Sequence, residues 1–206
     1  MNQEENHEDE MLPEYDFSDG ERGKYAKKSA PQSNVEMMNK KLEELGGLQK
    51  EGLVSRAATE EDVSYVEQHI GSRLPEGYRF FLLQYGSEKA YFNELVGFAI
   101  ETYPDGVCCI DTFIGAVPVE THYCYDLVSH RKEIEGYLPN NILPVADDGA
   151  GNYVCLSVAG DDAGQVYFWN HEEVRGIEEE PSCKNMEFVA SSFTDFITKL
   201  QIYNGK

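Results

Sequence analysis

Residues 153–169 constrain the fold of this chain more than any other stretch, because they spell a hairpin. In Tyr153-Val154-Cys155-Leu156-Ser157-Val158, Val154, Leu156 and Val158 share one face of an extended strand, and Tyr153, Cys155 and Ser157 share the other. Gly160-Asp161-Asp162-Ala163-Gly164 supplies turn residues, and a second extended run, Gln165 to Trp169, follows at once. Antiparallel pairing is the expected result. Three further runs of strand character, 95–100, 107–113 and 142–146, are each bounded by Gly, Pro, Asp or Asn. A mostly antiparallel sheet of about five strands is therefore predicted.

Helical signals precede and follow these runs. Thr59 can accept an end N–H while Glu60, Glu61 and Asp62 complement the helix dipole, and Val63, Val66 and Ile70 then recur on one face up to Gly71. Leu74-Pro75 opens a second helix that carries Tyr78, Phe81, Leu82 and Tyr85 inward before Gly86. Residues 126–137 read as a modest helix. Ser192 with Asp195 caps a closing one, whose stripe of Phe193, Phe196, Ile197 and Leu200 should cover the sheet. A short helix over 35–48, with Val35, Met38, Leu42 and Leu45 in phase, is expected to pack loosely if at all. The predicted class is α+β, a single domain over residues 51–206 with its sheet packed against helices. Residues 1–50 are expected to be a disordered or loosely helical charged tail, since 1–34 follow no apolar period.

Charge narrows the function. Of 38 acids and 17 bases, 25 and 9 lie beyond residue 58, so most of the net charge of −21 belongs to the domain. Between Asp147 and Glu187 ten acids face only Arg175 and Lys184. Such a field repels nucleic acid and anionic lipid and draws basic partners; surplus acid also serves plain solubility. No apolar run approaches membrane-spanning length, and Met1 to Glu5 lacks the basic start of a secretory signal, so a cytoplasmic protein is expected. The five cysteines, Cys108, Cys109, Cys124, Cys155 and Cys183, include no Cys-x-x-Cys pair and are expected to be mostly buried, reduced thiols.

Catalytic patterns find no foothold. Asp147-Asp148-Gly149-Ala150-Gly151-Asn152 holds a Gly-x-Gly, yet a strand follows it, so no helix N-terminus faces a phosphate. A tight acidic turn is the better description, and its spacing is not that of an EF-hand loop. His7, His69, His122, His130 and His171 include no pair spaced to share a metal from one helix face. Ser129-His130-Arg131-Lys132 fits the Ser-x-x-Lys string of some acyl enzymes without that class's companion motifs. Neither enzyme activity, cofactor nor metal is expected.

The run from Thr59 to Gly86, together with Asn141 to Leu156 and Gly164 to His171, resembles the SUKH superfamily, known also through the fungal Smi/Knr cell-wall-assembly regulator. The resemblance rests on an opening helical signature, then strand, glycine turn, strand and a Trp-containing strand, in that order. It implies an α+β fold without an established catalytic motif. In bacteria it implies an immunity protein that neutralises a protein toxin, often a nuclease; fungal relatives imply a regulatory scaffold instead. The expected partner is a basic cognate toxin or other basic protein, with no direct nucleic acid and no membrane. The expected contact residues are Asp147, Asp148, Asp161, Asp162, Glu172 and Glu173, with Tyr167 and Trp169 either aromatic anchors or core.

Overall fold

The computed structural model describes residues 32–51, 56–86, 89–101, 105–117, 126–171, 181, 183 and 185–203. Along the chain these form α1 (Gln32–Glu44), β1 (Gln49–Glu51), α2 (Glu60–Ile70), α3 (Glu76–Gln84), β2 (Lys89–Tyr91), β3 (Val96–Ala99), β4 (Val107–Cys109) and β5 (Thr112–Ile114). There follow α4 (Leu127–Glu133), β6 (Ile142–Asp147), β7 (Tyr153–Ser157), β8 (Val166–Trp169), β9 (Met186–Ala190), α5 (Phe193–Lys199) and β10 (Gln201–Ile202). The large sheet has seven strands in the order β1-β2-β5-β6-β7-β8-β9, and a small one has the order β10-β3-β4. All the described strand pairings are antiparallel, so the α+β class holds with more strands than the five expected.

Local signals explain α2. Thr59 Oγ1 accepts from the Asp62 N–H at 3.2 Å while Asp62 Oδ2 accepts from the Thr59 N–H at 2.7 Å, a reciprocal cap. Arg56 adds two hydrogen bonds to the same carboxylate and, as the main cause, holds Asp62 down at about 2. Gly71 ends the helix at φ 69°, a left-handed position that favours glycine.

The core fills the space between the large sheet and the helices. Phe81 lies 5.0 Å from both Phe113 and Phe193, ring centre to ring centre, and Phe98 lies 5.4 Å from Phe196. The helix at 32–44 does not pack loosely. Met38, Leu42 and Leu45 are buried in this core, because α1 lies against α3 and α5 and removes one apolar stripe from water.

The expected strand over 107–113 divides between the two sheets. The Ile110 N–H donates to the Val96 carbonyl at 2.8 Å in the small sheet, and the next N–H, from Asp111, donates to the Asp147 carbonyl at 2.9 Å in the large one. β3 and β4 approach so closely that a Cβ at Gly97 would sit 2.3 Å from the Cys108 carbonyl oxygen. A smaller cluster covers the other face of the large sheet, where Ile134, Leu138, Ile142, Cys155 and Trp169 pack with Tyr137, Tyr153 and Met186. Cys108 and Cys155 are buried, Cys109 is half-buried and Cys183 is exposed; burial pushes the Cys108 thiol up to about 12. Among the described residues no helix is long and apolar enough to cross a membrane. The expectations for the N-terminal tail before residue 32, for Cys124, His7 and His122, and for Glu172 and Glu173 lie outside the described residues.

Candidate functional site

Register assembles one row of side chains across the sheet face that carries the smaller cluster. Thr112 lies opposite Asp147, Asp147 opposite Tyr153, Tyr153 opposite Trp169, and Trp169 opposite Met186. Cross-strand neighbours share a face, so acid, phenol and indole stand side by side. The Tyr153 and Trp169 rings are parallel to within 6°, 6.0 Å apart. Trp169 is buried at 6% exposure, with Tyr137 at 6.4 Å on another side. Of the two readings of this indole, the geometry gives core packing, with Tyr153 stacked against it.

At the acidic end of the row is the turn from β6 to β7. Asp148 Oδ1 accepts from the Ala150 and Asn152 N–H groups at 2.8 and 3.0 Å, and its Oδ2 accepts from Asn152 Nδ2 at 2.6 Å. Asn152, 4% exposed, turns its Oδ1 to the His171 N–H at 3.1 Å and so ties the turn to the end of β8. Asp147 is half-buried and accepts one N–H, from Gly149 at 3.0 Å. Burial pushes its carboxyl up to about 6, with Asp111 and Asp148 adding to the rise and the Gly149 N–H and Lys89 opposing it. Asp111, which sequence reasoning did not single out, belongs to this site by way of the sheet-to-sheet crossover.

Beside Asp147, the Tyr153 hydroxyl lies 3.1 Å from His130 Nδ1 and donates to Glu133 Oε2 at 3.3 Å. Burial pulls His130 below its usual value and pushes Tyr153 up. Helix α4 presents this pair, capped by Asp126, whose Oδ1 accepts from the Val128 and Ser129 N–H groups at 3.0 and 3.1 Å. The sequence signal for it, His130 and Glu133 three apart on a short helix, is too common to read without the sheet beneath. Chemically the row offers anionic and aromatic contact to a cationic side chain.

Asp161 and Asp162 are not part of this constellation. They sit in the turn from β7 to β8, at the opposite end of β7 from Asp147 and Asp148. Five strand residues put roughly 17 Å between the turns. Asp162 accepts from Ser157 Oγ at 2.9 Å and from the Tyr167 hydroxyl at 3.0 Å, while Asp161 is exposed. The six acids expected to share one face thus divide into a pair at each end of β7 and a pair, Glu172 and Glu173, outside the described residues.

Residues 57–199 match the SMI1 / KNR4 family (SUKH-1). The chain is also 27% identical over 158 residues to the SPbeta prophage-derived uncharacterized protein YokK of Bacillus subtilis (strain 168), an alignment covering 69% of this chain and 74% of that one.

Proposed function

This chain belongs to the SMI1 / KNR4 family (SUKH-1), and on that premise we propose that it is an immunity protein, a non-catalytic cytoplasmic domain that neutralises a cognate, nuclease-type toxin. Acidic surface covers the basic groove in which such a toxin holds its own anionic substrate. Immunity proteins occur within this family, and a net charge of −21 suits a basic partner. The observation that carries the reading is the cost built into the β6–β7 turn. Burial and two neighbouring aspartates raise the Asp147 carboxyl to about 6, so holding it ionised at neutral pH is a stability penalty that a turn does not need. A lysine or arginine docking on this end would relieve the penalty, so binding recovers what folding gives up.

Within this reading Asp147 and Asp148 form the centre of the contact, Tyr153 its aromatic floor with Trp169 behind, and Asp161 and Asp162 a distant rim. A partner of ordinary interface size, about 800 Å² per side, can cover both ends of β7. The test is calorimetry of the chain with a candidate basic nuclease toxin, at two salt concentrations. Asp147→Asn with Asp148→Asn weakens binding by about 100-fold, since truncating one side of a buried charged contact costs about 2–5 kcal/mol, while Asp161→Asn with Asp162→Asn changes mainly the association rate. If all four substitutions together leave affinity and its salt dependence unaltered, the reading is wrong.

A second reading, a regulatory scaffold domain related to cell-wall-assembly regulators, draws on the 31 residues that precede α1. A chain lacking residues 1–31 tests this second reading: undiminished protection from the toxin supports immunity and leaves the scaffold reading without its distinctive part.

A further inference from the structure

Arg56 and Arg79 are anchored by carboxylates, Arg56 by Asp62, and Arg79 by Glu60 and, at 3.7 Å, by Glu67. Arg131, in the second turn of α4, is held differently. It is half-buried, its Nη2 donates to the Asn140 side-chain oxygen at 2.8 Å, and it makes no ion pair among the described residues. A guanidinium carries five N–H donors, and this bond uses one. Burial pulls Arg131 below its usual value, with Glu135 opposing. An anion would offset that desolvation.

A pocket of about 330 Å³ opens beside it, between the end of α2 and α4. Two cationic side chains, Arg131 and Lys132, line it with His69 and Asn140 against one acid, Glu135, and Ile70 and Val128 supply an apolar wall. In a chain of charge −21, a concave site whose lining holds more cations than acids departs from the overall charge balance.

We propose that this pocket binds a small, multiply charged oxyanion, a phosphorylated or polycarboxylate metabolite, anchored by Arg131 and Lys132. The planar fork of Arg131 suits two oxygens of one group, and Lys132 adds a point charge. His69 Nδ1 is held by the Tyr65 carbonyl at 2.8 Å, which leaves Nε2 as its remaining polar atom. The volume lies near the lower end of the range for small-molecule sites, about 300–1,000 Å³. The inference is independent of toxin binding, since none of the pocket residues belongs to the Asp147 turn.

The test is an NMR titration of the full chain with inorganic phosphate and, separately, citrate, at constant ionic strength in chloride. Saturable shifts are expected at the Arg131 Nε–H and at the amides of residues 69–72 and 128–135. Arg131→Gln weakens binding about tenfold or more through loss of charge-assisted hydrogen bonds. Lys132→Gln weakens it several-fold and, being at an exposed position, keeps the test valid should Arg131→Gln fail to fold. Glu135→Gln tightens it. Tighter binding of phosphate assigns a phosphorylated ligand, and tighter binding of citrate a polycarboxylate. Shifts that rise linearly and match those from added chloride overturn the proposal, as does unchanged affinity in the Lys132→Gln chain.

Discussion

The two ends of β7 face the same dipeptide, Asp147-Asp148 where β6 leads into its turn and Asp161-Asp162 within the turn to β8, and the fold treats them differently. At one end the register sets Asp147 among Asp111, Asp148 and a half-buried sheet face, so its carboxyl rises to about 6. At the other, Asp162 receives the Ser157 and Tyr167 hydroxyls, and Asp161 points to water. Hydroxyl donors stabilise a carboxylate; burial beside like charge destabilises it. Identical residues therefore make a destabilised carboxylate at one end and an ordinary satisfied turn at the other.

Four substitutions break or sharpen this contrast. The largest effect is expected for Asn152→Ala, which removes the buried amide that links Asp148 Oδ2 to the His171 N–H and with it two hydrogen bonds; urea unfolding should show a loss of about 2–4 kcal/mol. Next comes Asp147→Asn, with the opposite sign. An acid whose folded pKa lies above its unfolded value contributes stability that is present below pH about 4 and lost as pH rises through about 6. The asparagine chain should therefore gain about 1–2 kcal/mol at pH 7 and none at pH 4, and unfolding curves at both pH values would check it. A wild-type chain whose stability does not fall across that window more than the variant's would remove the contrast between the two ends.

Tyr167→Phe should cost about 0.5–1.5 kcal/mol, one hydrogen bond shared between Asp162 and Gln165, as read by thermal unfolding. The smallest effect belongs to Asp161→Asn, within about 0.5 kcal/mol of wild type by the same measurement, because an exposed side chain in a turn changes little in either state.

Much of this architecture is legible in the order of residues because its signals are local. Thr59 with Asp62, Gly71 and Ser192 with Asp195 act within one helical turn, and structure places α2 and α5 beside them. The hairpin of β7 and β8 follows from alternation and a glycine-bounded turn. β2 and β9 escaped the same reading. Lys89-Ala90-Tyr91 is too short to show a period, and Met186–Ala190 owes its strand to pairing with β8. The break between β4 and β5 escaped because Val107 to Phe113 has continuous strand propensity; only the positions of Val96 and Asp147 decide which N–H goes to which sheet.

The candidate site divides along the same line. Sequence alone determined that the domain is acidic, that acids occupy both turns of β7, and that the chain has the helices and strands of its family, since composition, periodicity and capping need no distant partner. Tertiary structure decided that Asp111 joins Asp147, that Trp169 is interior, that the two acidic pairs stand a strand apart, and that Arg131 meets a pocket. Those outcomes depend on cross-strand register and on burial, which set the distance between charges and the water left around them, and neither quantity exists until the chain has closed on itself.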